Sequence, residues 1–492
     1  MSETPSVPPS VPSADPRPFY VAGAPAYGED SFEVRHPYDG ELVARVSRPT
    51  AAQVEQAVAA LDASRHVGAR LTAADRAEAL MHVSRRLAER ADEVALLITA
   101  ENGKPLKWAR AEAGRAASVF RFAAEEARRW SGEVQRLDTD PAAAGRLALV
   151  RRFPKGPVLG IAPFNFPLNL VAHKVAPALA VGAPILIKPA PATPLSALLL
   201  GELLAETGLP GGMWSVLPVA NEAMPALVQD PRLPIISFTG SPVVGYQIMD
   251  AVPRKHVTLE LGGNAAAIVA ADWSSDADLE WAATRIATFA NYQAGQSCVS
   301  VQRVLAHASI VDALTERVVA HVKSLNTGRP DDDATDVGPL VDEAAAVRVQ
   351  EWVDEAVEHG ATLLTGGTRD GATVAPTVLS DAHHEAKVVC EEVFGPVMVI
   401  EAFDPVDEAF GIVNAGRFGL QTGLFTHDIQ LAFRAHRDLE VGGVVIGDVP
   451  SYRADQMPYG GTKDSGVGRE GLRYAMEDFT YERVLVLSGI DL

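Results

Sequence analysis

The sequence predicts an α/β protein, because short apolar segments alternate with longer helical patterns along most of its length. The apolar segments cover residues 158–162, 185–187, 235–238, 257–261 and 266–269. Continuous apolar runs of this length are typical of buried strands in a parallel sheet. Helical patterns lie between most of them, for example over residues 195–207, and this alternation favours an α/β architecture.

The chain divides into regions of different character. Residues 1–17 are predicted to be a disordered tail, because the stretch from Met1 to Pro16 carries five prolines and neither a basic start nor an apolar centre. Residues 50–129 show a helical pattern rich in alanine and arginine. The segment from residue 265 to about 447 has strands and helices of its own and is predicted to be a second domain.

Composition excludes several kinds of protein. With 492 residues and 47% apolar residues, the chain is long enough for two or three domains with their own cores. A formal charge of −20 argues against a nucleic-acid or anionic-membrane partner. No apolar run reaches the roughly 18 residues of a transmembrane helix. The two cysteines cannot form a disulfide framework, which favours a reducing, cytoplasmic compartment.

One of those cysteines, Cys298, ends the run NYQAGQSC and is a candidate nucleophile. A lone cysteine is more often a small buried hydrophobic residue than a reactive thiol. Three other runs change that balance: PFNFP over residues 163–167, ELGG over residues 260–263 and EVFGP over residues 392–396.

Together these runs resemble the signatures of the NAD(P)-dependent aldehyde dehydrogenase superfamily, in the same order and at similar separations, from about residue 32 to residue 487. The nearest pattern is that of the lactaldehyde and phosphonoacetaldehyde dehydrogenase branch. The resemblance implies a homodimer or homotetramer. It also implies the aldehyde dehydrogenase fold, with a Rossmann-like coenzyme domain (residues 18–136 and 155–264), an α/β catalytic domain (265–447), a small β oligomerisation arm (137–154 and 478–492) and a return segment (448–477) bordering the substrate tunnel.

The resemblance also assigns catalytic roles. Cys298 would attack the aldehyde carbon, since cysteine is the most nucleophilic side chain near neutral pH. Asn165 and the Cys298 backbone N–H would hold the developing oxyanion. Glu260 ends an apolar strand, where desolvation raises a carboxyl pKa, and would be the general base for thioester hydrolysis. Lys174 would join a proton path, but relatives often have its glutamate partner where this chain has Tyr481, so that partner stays open.

A coenzyme site is predicted where the strand over residues 235–238 runs into a glycine-containing turn, Gly240, Ser241 and Gly245, and then a helix. Free backbone N–H groups at a helix start attract a pyrophosphate. By resemblance, Lys188 contacts the adenosine ribose, Glu392 the nicotinamide ribose, and Phe394, Pro163 and Phe164 border the coenzyme. Pro191 replaces a glutamate common in NAD-preferring relatives, which leaves NAD or NADP open.

Substrate contacts follow from the same transfer of positions. Two arginines at one cavity would suit an aldehyde with a carboxylate, phosphate or phosphonate, because arginine binds such groups bidentately. Ser297 and Phe166 stand where members of this branch can carry an arginine and a histidine, so the anion stays open. The predicted substrate residues are Arg115, Phe166, Asn169, His173, Ser297 and Arg453.

Three functions are compatible with these residues. The first is an aldehyde dehydrogenase that releases the free acid, and the second is one that transfers the acyl group to coenzyme A. The third is a non-catalytic protein on the same fold. Glu260 favours hydrolysis, because acylating relatives usually lack it, and Cys298 with Asn165 argues against a non-catalytic role. No metal site is predicted.

Overall fold

The computed structural model of the chain describes residues 15–490. Most of the predicted tail, residues 1–14, lies outside the described residues. The backbone N–H of Arg17 donates to the carbonyl of Arg45 at 2.7 Å, and the first strand begins at Phe19. Regular structure therefore begins at the end of the stretch that was predicted to be a tail.

The described residues form strands and helices in alternation, which confirms the predicted α/β class. The strands are β1 Phe19–Val21, β2 Ala24–Ala26, β3 Asp30–Arg35, β4 Leu42–Arg48, β5 Glu133–Arg136, β6 Arg146–Pro154, β7 Val158–Ile161, β8 Ile185–Lys188, β9 Trp214–Val216, β10 Ile235–Thr239, β11 His256–Glu260, β12 Ala265–Val269, β13 Val301–His307, β14 Thr362–Thr365, β15 Arg369–Asp370, β16 Thr373–Val374, β17 Thr377–Ser380, β18 Val397–Phe403, β19 Phe418–Gly419, β20 Gln421–Phe425, β21 Gly443–Ile446, β22 Thr462–Lys463, β23 Gly466–Val467 and β24 Thr480–Ser488.

The α-helices are α1 Ala51–Ala63, α2 Arg65–Gly68, α3 Ala73–Glu89, α4 Ala91–Asn102, α5 Leu106–Arg129, α6 Asn169–Val181, α7 Leu195–Ala205, α8 Met224–Gln229, α9 Pro242–Ala251, α10 Asp276–Asn291, α11 Val311–Ser324, α12 Glu343–Glu358, α13 Lys387–Cys390, α14 Val406–Ala415, α15 Ile429–Asp438 and α16 Leu472–Asp478. Short 3₁₀ turns lie at Pro141–Ala143, Gly211–Met213, Asn221–Ala223 and Tyr292–Gly295. Among the described residues, no helix is both long and apolar enough to cross a lipid bilayer.

The first sheet has eight strands in the order β2-β1-β9-β8-β7-β10-β11-β23. Its five central strands, β9 to β11 in that order, are parallel. From β7 the chain proceeds outward through β8 to β9, and then returns to the other side of β7 to form β10 and β11. The strand order therefore reverses between β7 and β10, and ligands of open parallel sheets bind beside the carboxyl ends of the strands at such a reversal.

The second sheet has seven strands in the order β14-β17-β18-β13-β12-β20-β21, parallel except for β14. All of them lie between residues 362 and 446 or between residues 265 and 307. Helices α10 and α11 pack on this sheet through a core that includes Ile286, Leu314 and Val304. The crossing of the chain from the first sheet to the second, between β11 and β12, brings Glu260 close to the loop that holds Cys298.

A separate three-stranded antiparallel sheet has the order β24-β6-β5. Strand β24 pairs with β6 along its whole length, from Thr480 opposite Pro154 to Ser488 opposite Arg146. These two strands lie in the segments predicted to form the arm. Strand β5 belongs to the same sheet, although Glu133–Arg136 had been assigned to the coenzyme domain, so this sheet begins earlier in the chain than the predicted boundary at residue 137.

Candidate active site

Cys298 lies in a tight turn between α10 and β13. The residues before it, Gln293, Ala294 and Gly295, all have positive φ, at 52°, 54° and 70°. A Cβ on Gly295 would lie 2.0 Å from the carbonyl oxygen of Gly395, so the chain can make this turn only with glycine there. The cysteine backbone also packs against the connection between β11 and β12, since a Cβ on Gly263 would lie 2.1 Å from the Cys298 carbonyl oxygen.

The Cys298 thiol is partly exposed and lines a cavity between the two sheets. Its Sγ atom lies 2.9 Å from the hydroxyl of Tyr459. Burial raises the pKa of the thiol to about 12, while the hydrogen bond from Tyr459 acts in the opposite direction. The thiol is therefore protonated at neutral pH in this state of the protein.

Asn165 lies in the loop after β7, at the point where the strand order of the first sheet reverses. Its Nδ2 atom donates to the carbonyl of Gln296 at 3.0 Å, and Gln293 Nε2 donates to the Asn165 carbonyl. Both bonds tie this loop to the turn that carries Cys298. The Oδ1 atom of Asn165 is buried without a partner among the described residues.

A buried ion pair contacts the end of the Asn165 loop, where α6 begins. Glu112 on α5 pairs with Lys104, and its Oε1 atom accepts from the backbone N–H groups of Leu168 and Asn169, both at 3.0 Å. These N–H groups belong to the first turn of α6, which has no other cap, and a carboxylate there stabilises the helix. Glu112 therefore fixes the position at which α6 and the Asn165 loop begin.

Glu260 is the last residue of β11, and its carboxyl group is buried on the cavity wall. Neither carboxyl oxygen has a hydrogen-bond partner among the described residues. Burial and the nearby Glu470 raise its pKa well above the ordinary value, and Arg453, Lys174 and Arg469 oppose that rise only in part. A carboxylate whose pKa is raised in this way is a stronger base than an ordinary carboxylate.

Lys174 on α6 is fully buried and pairs with Glu470, its Nζ lying 3.1 Å from Glu470 Oε1. The same ammonium donates to Thr239 Oγ1 at 2.7 Å and to Ser237 Oγ at 3.1 Å. Glu470 is therefore the partner of Lys174, which the sequence left open. Tyr481 lies in β24 opposite Phe153, and the glutamate stands some ten residues earlier in the chain.

One end of the cavity has the features of a dinucleotide site. The cavity measures about 790 Å³, and Gly240 and Ser241 line it at the start of α9. Ser241 makes no side-chain cap and Pro242 has no N–H, so the N–H groups of Val243 and Val244 in the first turn of this ten-residue helix are available to a pyrophosphate. Gly245 does not line the cavity, contrary to prediction, since a Cβ there would meet Leu261 at 2.5 Å. The glycine serves helix packing.

Lys188 lies at the far end of this cleft, where its Nζ atom donates to Asn221 Oδ1 at 2.7 Å. Burial lowers its pKa to about 8, and Glu222 opposes that effect. Pro191 lies in the same wall. Apolar side chains form the rest of the slot, as adenine requires: Met224, Pro225, Val228, Val244 and Ile248.

Glu392 and Phe394 line the cavity between the Lys188 end and Cys298. Glu392 Oε1 accepts from the Gly263 N–H at 2.9 Å, and burial raises its pKa to about 7. Phe394 has φ 50° and meets Phe164 edge to face at 5.8 Å. Pro163 lines the same wall, so the predicted coenzyme residues other than Gly245 surround one cleft.

The opposite end of the cavity carries Arg115, on α5. Its Nη2 atom lies 2.7 Å from Asp455 Oδ1, and the same oxygen lies 3.0 Å from His173 Nε2. Burial opposes the ionisation of Asp455, but His173 and Arg115 outweigh it and hold the pKa of this carboxyl below its usual range. His173 is buried behind Asp455 and does not line the cavity, which corrects its predicted place in the wall.

Arg453 lies closer to the cysteine. Its Nη2 atom is 3.2 Å from Glu470 Oε2, and its guanidinium carbon lies 3.8 Å from the centre of the Tyr459 ring. The Nε atom is buried without a partner among the described residues. Arg453 and Arg115 both line the cavity, so the structure brings the two predicted arginines together, each already paired with a carboxylate.

The remaining predicted substrate residues also line this end. Ser297 Oγ accepts a hydrogen bond from Tyr292 at 2.7 Å, and Phe166 packs against Lys104, whose Nζ lies 4.1 Å from the ring centre. Asn169 is buried on the wall, and its Oδ1 has no partner among the described residues. The chamber is therefore apolar with a few polar atoms that point into it.

Sequence reasoning missed three residues of the return segment: Tyr459, Asp455 and Glu470. Asp455 lies two residues from Arg453. In a loop, this spacing does not predict which side chains contact each other. Glu470 follows a loop that contains several separate glycines, and an acidic residue in such a loop is usually solvated. Only the fold places these residues beside Cys298, His173 and Lys174.

Comparison with known proteins identifies the family. The aldehyde dehydrogenase family model matches residues 25–485. The chain is 42% identical over 472 residues to the 3-sulfolactaldehyde dehydrogenase of Priestia aryabhattai, covering 96% of this chain and 98% of the relative. That relative is named for a sulfonated lactaldehyde, in agreement with the predicted branch.

Two solved structures resemble the fold over nearly its whole length. Aldehyde dehydrogenase 21 from Physcomitrella patens, crystallised with the reaction product succinate, superposes with a TM-score of 0.94 at 41% identity and covers 97% of this chain and 99% of its own. The NADP-dependent glyceraldehyde-3-phosphate dehydrogenase from Bacillus halodurans C-125, crystallised with NADP, gives a TM-score of 0.92 at 33% identity, over 96% and 99% of the two chains. By family match, whole-length identity and fold, the chain belongs to the aldehyde dehydrogenase family.

Proposed function

We propose that this aldehyde dehydrogenase uses NAD or NADP to oxidise a short aldehyde with an anionic tail to the free carboxylic acid. The observation that carries this proposal is the pair of arginines, Arg115 and Arg453, in the cavity that exposes Cys298. A sulfonate, carboxylate, phosphate or phosphonate would be a suitable tail, since a guanidinium binds each of them through two N–H groups.

The charges at the substrate end favour a negatively charged tail. Arg115, Arg453 and Lys174 supply three cations, while Asp455 and Glu470 supply two carboxylates. Burial and the nearby Glu470 raise the pKa of Glu260, so ionisation of this carboxyl group is disfavoured. An anionic tail would add a further partner for these cations, whereas with an uncharged substrate Lys174 and Arg453 would share the single carboxylate of Glu470.

In the first chemical step, the Cys298 sulfur attacks the aldehyde carbon and the carbonyl electron pair moves to oxygen. The Asn165 side chain and the Cys298 N–H would donate to that oxyanion. Asn165 Nδ2 is held 3.0 Å from the Gln296 carbonyl, so its amide stays beside the cysteine turn. Fixed donors of this kind stabilise developing charge without reorganisation.

The residues around the cleft fit a dinucleotide: the uncapped start of α9 for the pyrophosphate, Lys188 with Asn221 for the adenosine ribose, and Glu392 for the nicotinamide ribose. NAD or NADP, when held by these residues, would supply the hydride acceptor for oxidation of the substrate carbon. Lys188 could also meet a 2′-phosphate, and Pro191 brings no carboxylate that would repel it. Dual use of the two coenzymes is the selectivity that we propose.

Glu260 would then act as the base for hydrolysis of the thioester. As the water oxygen bonds to the acyl carbon, the water proton passes to the Glu260 carboxylate and the Cys298 sulfur leaves. The unpaired state of both Glu260 oxygens leaves them free to bind that water. The bound succinate product named for aldehyde dehydrogenase 21 is a free acid, which supports hydrolysis over transfer to coenzyme A.

Lys174 and Glu470 would carry the proton onward from Glu260. The Lys174 ammonium contacts Thr239, which lines the cavity, as well as Glu470, which also lines it. The contacts of this pair with Thr239 and its effect on Glu260 support the proposed relay. Lys174 itself does not line the cavity. The pair would therefore position neighbouring groups and relay protons without contacting the substrate.

The predicted domain roles and assembly remain part of this proposal. The exposed face of β24, with Val484, Leu485 and Val486 each at least 50% exposed, would pair with a second copy in a homodimer or homotetramer, and the protein would work in the cytoplasm. Elution as a strict monomer at micromolar concentration would contradict the assembly.

The test of the proposed function is a survey of short aldehydes with NAD and with NADP, in the absence of coenzyme A. We expect reduced coenzyme and free acid in equal amounts, with the best turnover for substrates with an anionic tail. Product formation only after addition of coenzyme A would instead show an acylating enzyme. No reduction of either coenzyme with any aldehyde would favour a non-catalytic protein.

A further inference from the structure

The hydroxyl of Tyr459 is the side-chain group nearest to the Cys298 sulfur among the contacts of the described residues, at 2.9 Å. Both residues are held rigidly. Tyr459 is 5% exposed, and its backbone N–H and carbonyl form a two-way bridge with Glu470 at 3.0 and 2.6 Å. The sulfur and the hydroxyl are therefore held in contact. This contact is separate from the residues of the coenzyme cleft and from the oxyanion site.

The direction of the hydrogen bond depends on which group carries a charge. Burial raises the pKa of Tyr459 well above its ordinary value, and the neighbouring Cys298 adds to that rise. The phenol therefore holds its proton more tightly than an ordinary tyrosine does. When Cys298 is a thiolate, Tyr459 can only donate, and a hydrogen bond to an ionised acceptor is about twice as strong as a neutral one.

Arg453 reinforces this arrangement from the other side of the ring. Its guanidinium carbon lies 3.8 Å from the ring centre, within cation–π distance, and Glu470 holds the guanidinium in place. A cation above the ring draws electron density from it and makes the hydroxyl a better donor. The same arginine is the proposed anchor for the substrate tail, so the nucleophile and the tail site share one residue.

We propose that Tyr459 is a catalytic residue, whose hydroxyl donates to the Cys298 thiolate and thereby stabilises the ionised form of the sulfur that attacks. The inference rests on the proposed role of Cys298 as the nucleophile. The thiol proton leaves to solvent through the cavity. The sulfur then uses the freed electron pair to bond to carbon, and Tyr459 retains its own proton throughout.

The test is alkylation of Cys298 by iodoacetamide in the Tyr459→Phe variant, without aldehyde or coenzyme. In this reaction the sulfur–carbon bond forms as iodide leaves. A Cys390→Ser background removes the only other cysteine of the chain. Phenylalanine keeps the ring and its contact with Arg453, and loses only the hydroxyl. The rate constant should be measured from pH 6 to pH 10, a range that extends to both sides of the ordinary cysteine pKa of about 8.5.

We expect Tyr459→Phe to lower the alkylation rate constant by roughly fourfold to fifteenfold at any pH below the thiol pKa. The expected factor follows from the usual strength of a hydrogen bond to a charged group. It is smaller than that strength alone would give, because the thiolate of the variant is more basic and therefore also more nucleophilic. Other groups that influence the thiol, namely Glu392, Arg453 and Glu260, are unchanged in the variant.

Tyr474→Phe, which removes a surface hydroxyl from α16, is the matched control and should not change the rate. An unchanged or faster alkylation in Tyr459→Phe would overturn the proposal, since the hydroxyl would then be a packing group or a restraint on the thiol. Because labelling needs neither substrate nor coenzyme, a wrong substrate assignment would leave this result intact. Loss of labelling in the Cys298→Ala variant identifies the thiol being measured.

Discussion

The Lys174 ammonium lies 3.1 Å from Glu470 Oε1, and the other oxygen of that carboxylate lies 3.2 Å from Arg453. One buried carboxylate thus joins a lysine of α6 to an arginine of the return segment. Lys174 and Arg453 outweigh the effect of burial and hold the pKa of Glu470 below its ordinary value. The negative charge of Glu470 in turn raises the pKa of Glu260.

The first prediction concerns the stability that this carboxylate provides. Glu470→Gln should lower the free energy of unfolding by about 3–5 kcal/mol, because it leaves two buried cations without their partner. Urea unfolding followed by fluorescence would measure it. Glu477→Gln, which breaks an exposed pair with Arg473 on α16, should cost less than about 1 kcal/mol. Equal losses in both variants would contradict the central position given to Glu470.

A second prediction separates the two halves of the reaction. Glu260→Gln should slow release of the acid while a pre-steady-state burst of reduced coenzyme persists, because acylation needs the thiolate and hydrolysis needs the base. Stopped-flow absorbance of the reduced nicotinamide would resolve the burst. Cys298→Ala, as the control, should give no burst.

The same variant has a defined pH signature. A carboxyl group with a raised pKa is protonated and inactive as a base below that pKa, so hydrolysis by the parent protein should accelerate as pH rises through a value well above 4.5. Glu260→Gln should lack that rise. If burst and steady state fell together at every pH, Glu260 would be activating the cysteine instead.

The third prediction concerns the oxyanion. Asn165→Ala should lower kcat by roughly 10² to 10³, the usual effect of one donor, with little change in KM. Steady-state kinetics with a saturating coenzyme would show this. A fall of less than about threefold would mean that Asn165 only ties its loop to Gln296.

Much of this site could be predicted from sequence because it depends on local runs. Cys298, Asn165 and Glu260 each stand at the end of a strand or in a glycine-containing turn, and the fold brings those ends together at the point where the strand order reverses. The helices and strands around them begin and end close to the predicted positions, for instance β7 at Val158–Ile161.

The errors have a common physical cause. His173 and Gly245 carry the expected residue types, yet Asp455 holds the histidine behind the wall and Leu261 packs against the glycine. The partner of Lys174 comes from a loop more than 290 residues away. Such pairings depend on how the return segment crosses the first sheet. The hydrophobic periodicity within the return segment or within the first sheet does not predict that crossing.

A fourth prediction concerns coenzyme choice. The Lys188 ammonium should bind a 2′-phosphate only when it is protonated, and burial lowers its pKa to about 8. We therefore expect KM for NADP to rise above about pH 8, while KM for NAD rises less. Lys188→Met should weaken NADP more than NAD at pH 7 and remove the difference between their pH profiles. Equal effects on both coenzymes would mean that Lys188 contacts only the shared ribose.

The most direct test of the account compares two aldehydes of equal length, one with an anionic tail and one without, in the parent protein and in Arg115→Gln. Arg115 is the better choice than Arg453, which also packs on Tyr459 and would change kcat. Arg121→Gln on the exposed side of the same helix is the matched control.

We predict that the parent prefers the anionic aldehyde by about tenfold to a hundredfold in kcat/KM, since one hydrogen bond to a charged group contributes roughly 1.5–3 kcal/mol. Arg115→Gln should remove most of that preference through KM, because a tail distant from the reacting carbon is bound alike in the ground and transition states. Arg121→Gln should keep it. A parent protein that turns over long uncharged aldehydes better, with no effect of Arg115→Gln, would contradict the account.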